Sequence, residues 1–160
     1  MSIRAIAALL FYLLCIPSYG QQTSSSNANK KTVTTYFDEV INAQKLHRMG
    51  EFFSSDYVWH QMNGTDTRSS KDSSHMSQLR WLFSAVPDGH YAVEHVVANE
   101  DMVAINTILT GTAKAEMFGL PAGQKKLRVK QMFFFRLKNN KIIEEWEVLD
   151  GGTLMDQLKK

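Results

Sequence analysis

From His90 onward, apolar residues recur at every second position in four long segments, residues 91–98, 102–113, 127–137 and 141–149. Side chains alternate sides along a strand, so this pattern predicts half-buried strands with one face on a core. The separators are short and turn-like: Asn99-Glu100-Asp101, residues 118–123 with two glycines, and Asn139-Asn140. Links of this kind make sequence neighbours antiparallel partners. Before His90 the period is helical. Val33, Tyr36, Phe37, Val40, Ile41 and Gln44 predict an amphipathic helix, which a second stretch over residues 46–53 extends after a bend whose end Gly50 marks. Another helix, capped by Asp72 or Ser73, carries His75, Leu79, Leu82, Phe83 and Val86 on one face before Pro87-Asp88-Gly89 stops it. Residues 56–60 read as a short strand closed by Asn63-Gly64, and Leu154 and Leu158 allow one last helical turn. Helices first and a meander afterwards define an α+β class, with N-terminal helices packed on a strongly curved, mainly antiparallel sheet.

The N-terminus is of another kind. Arg4 precedes an unbroken apolar stretch over residues 5–16, and Pro17-Ser18-Tyr19-Gly20 ends it with small residues, so residues 1–20 read as a signal peptide cut before Gln21. The stretch falls short of the about 20 residues needed to span a bilayer, so no stable membrane anchor is expected after cleavage, and the product is periplasmic or secreted. Residues 21–31 (QQTSSSNANKK) are polar and without period, and read as a disordered linker to a domain over residues 32–160. Cys15 is the only cysteine, so the mature chain has no disulfide, thiol nucleophile or cysteine metal site. With 18 Lys+Arg against 16 Asp+Glu and no long basic run, nucleic acid is not an expected partner. Asn63-Gly64-Thr65 matches a glycosylation sequon, relevant only in a eukaryotic secretory pathway.

The last two strands hold the residues fit for chemistry. Gln131, Phe133 and Phe135 share one face; across the turn, Glu145 and Glu147 share a face with Ile143 and Leu149. If that face is the concave one, desolvation raises a carboxyl pKa toward the range useful for proton transfer. Glu144 fits a surface ion pair. His60 ends the 56–60 strand near the expected cavity mouth, and His75 lies on an inner helix face, so each is a candidate imidazole. Trp59, Phe133 and Phe135 would line a pocket for a flat, apolar ligand. No HExxH or similar spacing points to a metal.

The run from Gln131 to Asp150, with Gly152-Thr153-Leu154 and Gln157-Leu158 after it, resembles the C-terminal signature of the SnoaL-like polyketide cyclases, also called ester cyclases. Asp56-Tyr57-Val58, the helix before Pro87 and Gly119-Leu120-Pro121-Ala122-Gly123 fit the same family. The resemblance implies a cone-shaped, nuclear-transport-factor-2-like fold around a pocket, and a homo-oligomer packed through the sheet. It further implies cofactor-independent acid/base chemistry on a small hydrophobic carbonyl compound. Glu147 falls at the family's acid/base aspartate and Gln131 at its pocket glutamine, while Phe133 stands where the family has a histidine. The expected catalytic set is thus Glu147, Gln131 and His60, with Glu145, Phe133, Phe135, His75 and Trp59 around the substrate and no metal or cofactor. Two alternatives stay open: a non-catalytic, exported ligand-binding or protein-interaction module, and a ketosteroid-isomerase-like isomerase.

Overall fold

The computed structural model describes residues 19–68 and 74–160. Its elements are α1 (Tyr19–Tyr36), a π-helical turn (Phe37–Ile41), a 3₁₀ turn (Leu46–Glu51), β1 (Phe53–His60), β2 (Asp66–Arg68), α2 (Ser74–Ala85), β3 (His90–Asn99), β4 (Met102–Ala113), β5 (Lys125–Lys138), β6 (Lys141–Leu149) and α3 (Gly151–Lys159). The six strands form one sheet in the order β2-β1-β6-β5-β4-β3. The meander β3 to β6 is antiparallel, as the alternation predicts, with β6 then pairing β1 in parallel. Among the described residues no helix is long and apolar enough to cross a membrane.

β5 sets the orientation of the sheet. Leu127, Val129, Gln131, Phe133, Phe135 and Leu137 are all buried, and the residues between them face outward. The link to β6 is a two-residue turn, Asn139-Asn140, with φ of 52° and 58° between the paired Lys138 and Lys141. Asparagine tolerates this left-handed conformation, which matches the twist of a hairpin. In β6 the partner of Arg136 is Glu144 but that of Leu137 is Ile142, so Ile143 is an extra, bulged residue. Ile142, fully buried, therefore takes the inward place expected of Ile143, while Glu145 and Glu147 keep theirs. Glu144 faces out and pairs with Arg136 at 2.7 Å, as its surface reading required.

The helical face packs against this wall. Val33, Tyr36, Phe37, Val40 and Ile41 are buried, and the Phe37 ring meets Phe133 edge-on at 5.3 Å and Tyr91 at 5.9 Å. Each such pair contributes about 0.5–1.5 kcal/mol beyond area burial. The helical spacing puts Tyr36 and Phe37 on the core side together with Val40 and Ile41, and the π turn over Phe37–Ile41 keeps them there. Asn42 then ties the segment to the sheet, donating to the Tyr91 carbonyl at 3.0 Å and accepting from the Tyr91 amide at 2.8 Å.

Several boundaries differ from the sequence reading. The segment 21–31, expected as a disordered linker, belongs to α1; Asn29 is buried and its amide donates to the Glu100 carbonyl at 3.0 Å. Helix propagates backward from the amphipathic turns once nucleated, and the Asn29 contact docks the extension. The expected signal peptide lies outside the described residues except for Tyr19 and Gly20, and so does the Asp72 or Ser73 cap. β1 starts at Phe53, because Phe53 pairs with Ile142 and the Phe52 carbonyl accepts from the Ile142 amide at 2.8 Å. β2, not foreseen at all, is a three-residue strand on the outer edge.

α2 is held over the sheet at its C-terminal end. Asp88 accepts from the Thr112 amide and hydroxyl, each at 2.7 Å, and the Ala85 carbonyl accepts from the Lys114 amide at 2.7 Å. The approach is so close that a Cβ on Gly111 would collide with Val86 Cγ1 and come within 3.2 Å of Gly89 Cα. Gly111→Ala is therefore expected to lower stability by about 1–3 kcal/mol, as overpacking does. Gly151→Ala, where a Cβ meets nothing within 4 Å, should be neutral or stabilising by up to about 1 kcal/mol. Urea midpoints of the two variants check the contrast.

Candidate active site

The cone encloses a cavity of about 370 Å³, a size suited to a small organic molecule. Gln131, Phe133 and Phe135 from β5, Glu145 and Glu147 from β6, and His75 from α2 all line it. Six of the expected site residues thus meet in one space. Trp59 lies beside it: the residue is buried and lines an adjoining opening that shares Gln78, Glu147 and Leu149 with the main cavity. Its indole N–H has no hydrogen-bond partner.

His60 is elsewhere. β1 runs parallel to β6 with Trp59 opposite Glu145 and His60 opposite Trp146, so Trp59 points inward and His60 out. On the outer face His60 stacks on the Trp146 ring at 4.5 Å, and its Nδ1 lies 2.8 Å from Asp66 Oδ1. It stands at the β1–β2 edge and does not line the cavity in which it was expected.

The carboxylates stand in different surroundings. Glu147 faces Phe133 across the β5–β6 pair, keeps partial exposure, and accepts a short hydrogen bond from Gln131 Nε2. Burial pushes its carboxyl up to about 7, against the lowering effect of the Gln131 amide. Glu145 is fully buried, and neither of its oxygens has a hydrogen-bond partner. Burial, with Glu147 adding repulsion, pushes it well above the usual carboxylate range and so favours its protonated form. Burial also pushes His75 down to about 4, leaving a neutral imidazole. His75 Nδ1 lies 3.5 Å from Glu145 Oε2, and its Nε2 lies 3.4 Å from the Tyr36 hydroxyl. Tyr36 is itself shifted upward by burial first and by Glu145 next.

Tyr36, Phe37 and Tyr91 are lining residues that the sequence reading placed in no site. The isomerase alternative lacked a tyrosine close to an acid; the structure supplies Tyr36 from the end of α1, through His75. The only available signal was its place on the buried face of the first helix. A ligand atom from each of His75, Glu145 and Glu147 falls within 4.8 Å of the others, close enough to be drawn onto one divalent cation if both carboxylates ionised. Desolvation works against that ionisation.

The cone with an acid-lined pocket defines the class; the family follows from comparison. The chain matches the family model of SnoaL-like polyketide cyclases over residues 31–158 and belongs to that family. Its fold is shared with IdmH, a proposed polyketide cyclase from Streptomyces antibioticus (21% identity, 82% of this chain and 99% of that one covered, TM-score 0.73). It is also shared with AclR, a proposed hydroxylase from Streptomyces galilaeus (21% identity, 84% and 98% covered, TM-score 0.75). A SnoaL-like protein from Jannaschia sp. CCS1 matches similarly (21% identity, 84% and 93% covered, TM-score 0.73). No curated protein matches the chain.

The shift of Glu147 has a thermodynamic consequence. A carboxyl whose pKa is raised in the folded state holds its proton there while the unfolded chain has released it, so stability falls as pH rises from the unfolded to the folded value. For Glu147 that window runs from 4.5 to about 7 and corresponds to about 3 kcal/mol. Relative to wild type, Glu147→Gln is therefore expected to gain up to about 3 kcal/mol between pH 4 and pH 8. Denaturant midpoints across that range measure it; a difference independent of pH would contradict the assignment.

Proposed function

We propose that this chain is a cofactor-independent acid/base enzyme acting on a small hydrophobic carbonyl compound, with Glu147 as the proton carrier. The observation that carries the reading is the Glu147 carboxyl at about 7, fixed by Gln131 at the edge of a largely aromatic and aliphatic cavity. A base is most effective when its pKa lies near the working pH, and Glu147 meets that condition through burial. Ionised, it removes a proton from the carbon next to the carbonyl; protonated, it returns one to carbon or oxygen after bond rearrangement. The Gln131 amide restricts the carboxylate to one orientation, and Phe133 and Phe135 hold an apolar substrate beside it. Ring closure, as in polyketide cyclisation, and double-bond migration both begin with that step.

The step can be followed without the natural substrate. Small benzo-fused ketones such as 1-indanone or 2-tetralone, incubated in D₂O, should exchange their α-hydrogens faster with the protein than without it. The rate should rise with pH and level off above about 7, because only the ionised Glu147 accepts the proton. Glu147→Gln should lose about 10²–10⁴-fold of the exchange, while His60→Ala, on the outer face, should keep it. If Glu147→Gln still binds these ketones and the wild type exchanges none of them, the protein is a binding module on the same fold.

We further propose that the domain acts after export, on the strength of Arg4 and the apolar residues 5–16. N-terminal sequencing of the active protein should then begin at Gln21, and an active form beginning at Met1 would contradict this.

A further inference from the structure

Beside the Glu147–Gln131 pair, the cavity holds a second polar group of a different kind. Tyr36, His75 and Glu145 come from three elements, α1, α2 and β6, and form a row: hydroxyl to Nε2 at 3.4 Å, Nδ1 to carboxyl oxygen at 3.5 Å. His75 and Glu145 are buried, and His75 Nδ1 and both Glu145 oxygens lack hydrogen-bond partners. Buried polar atoms left in this condition are costly, and they are retained where a ligand completes them. The packing around them is dry: His75 is edge-on to Trp59 at 5.6 Å and lies beside Phe53 at 6.0 Å.

The hydrogen count of this row determines what it offers. A tyrosine hydroxyl, a neutral imidazole and a protonated carboxyl each carry one polar hydrogen. Were both contacts of the row, Tyr36 to His75 and His75 to Glu145, to close into hydrogen bonds, they would use two hydrogens and leave one. With Nδ1–H directed at Glu145, Tyr36 donates to Nε2 and the Glu145 hydroxyl is free for the cavity. With the other tautomer, Glu145 donates to Nδ1, Nε2–H donates to Tyr36, and the tyrosine hydroxyl is free. The present separations are long, and contacts of this sort tighten when a ligand is bound.

We propose that Glu145, His75 and Tyr36 form a neutral hydrogen-bond chain that donates to a ligand oxygen in the cavity, with Glu145 a hydrogen-bond donor rather than a second base. The inference rests on the reading of Glu147 as proton carrier and defines the substrate further: a compound whose oxygen becomes negative when Glu147 acts. When Glu147 takes the proton from the α-carbon, the C–H electron pair forms the new C=C bond and the carbonyl π pair moves onto oxygen. The enolate oxygen then accepts the hydrogen left over from the chain. A neutral donor suits this place because an ionised Glu145 would repel both Glu147 and the enolate. The ligand class is accordingly an enolisable ketone or ester with an apolar body, and a phenol of similar size mimics its enolate.

Two measurements test the chain. Infrared spectra of Glu147→Gln, in which only the Glu145 carboxyl is held in the cavity, should show the carbonyl stretch of a protonated carboxylic acid at pH 7, lost on adding Glu145→Gln. Absence of that band at pH 7 means an ionised Glu145 and overturns the proposal. In the second, wild-type protein should bind 2-naphthol about tenfold more tightly than naphthalene, the worth of one hydrogen bond to oxygen. Glu145→Gln, whose amide still donates, should keep that preference, while Glu145→Leu and His75→Phe should lose it. Equal affinity for the two probes, or binding of neither, overturns the proposal. So does a thermal midpoint raised by Zn²⁺ in the wild type and not in Glu145→Gln, since the same side chains would then serve a cation. Failure of Glu147 to support exchange leaves the infrared band and the naphthol preference untouched, so the two readings fail separately.

Discussion

The pairing of β5 with β6 decides where every polar group of the cavity lies. β5 buries one face without interruption from Leu127 to Leu137, and the Asn139-Asn140 turn leaves β6 a single register against it. In that register Glu147 stands beside Phe133 and Glu145 beside Phe135. Shifting β6 by one residue would carry Trp146 and Val148 inward and release both carboxylates to solvent, but it would expose Ile142, which is fully buried. The Ile143 bulge reconciles these demands, letting Ile142 and the two glutamates share one side although their spacing in sequence forbids it in a regular strand. Keeping a carboxyl protonated at neutral pH costs about 3 kcal/mol for a displacement like that of Glu147. Burying one phenylalanine or leucine returns about 1.5–3 kcal/mol. The aromatic wall therefore outweighs the acids it encloses.

One cause accounts for the charge state of the whole site. Desolvation raises Glu145, Glu147 and Tyr36 and lowers His75, each toward its neutral form. The differences between the groups come from what else they touch. Glu147 has the Gln131 amide and partial exposure and so ionises within reach of neutral pH, whereas Glu145 has neither and is pushed upward by burial with Glu147 beside it. Two acids of the same type, two residues apart on one strand, thereby stand in different surroundings, the condition under which acid and base roles can coexist. Glu147 gains its charge near pH 7, and a second negative charge at Glu145 is opposed by the first.

What was legible beforehand follows from the range of the interactions involved. Period-two alternation is local, so the strands from β3 to β6, the inward set Gln131, Phe133 and Phe135, and the side taken by Glu145 and Glu147 could all be read from the sequence. The helical face of α2 gave His75 in the same way. The place of His60 depends on a parallel pairing between strands separated by most of the domain, and parity within β1 alone does not say which face is inner. Tyr36 could be read as a buried helical residue, but its contact with His75 joins elements far apart in sequence and has no signature in the spacing of apolar residues. The helical state of residues 21–31 escaped for a related reason: the segment is polar, and what fixes it is continuity with the buried turns after Thr32 and the contact of Asn29 with Glu100.

Phe133 shows where the site differs from its family pattern. The resemblance puts a histidine at that position, and a phenylalanine there removes a donor from β5 while adding to the aromatic wall. An imidazole is nevertheless present, brought by His75 from α2 to within 3.5 Å of Glu145. Its direction of approach is different, so the substrate oxygen it could serve lies toward Tyr36 and Glu145 rather than along β5. Solved structures of this fold include a proposed cyclase and a proposed hydroxylase at the same 21% identity to this chain, so the fold by itself does not select a reaction. The selection rests on where donors stand relative to the base. With Gln131 committed to Glu147, and with Tyr36 and His75 reaching Glu145 from α1 and α2, the proposed substrate would lie between the two groups, its enolisable carbon at Glu147 and its oxygen toward Tyr36, His75 and Glu145.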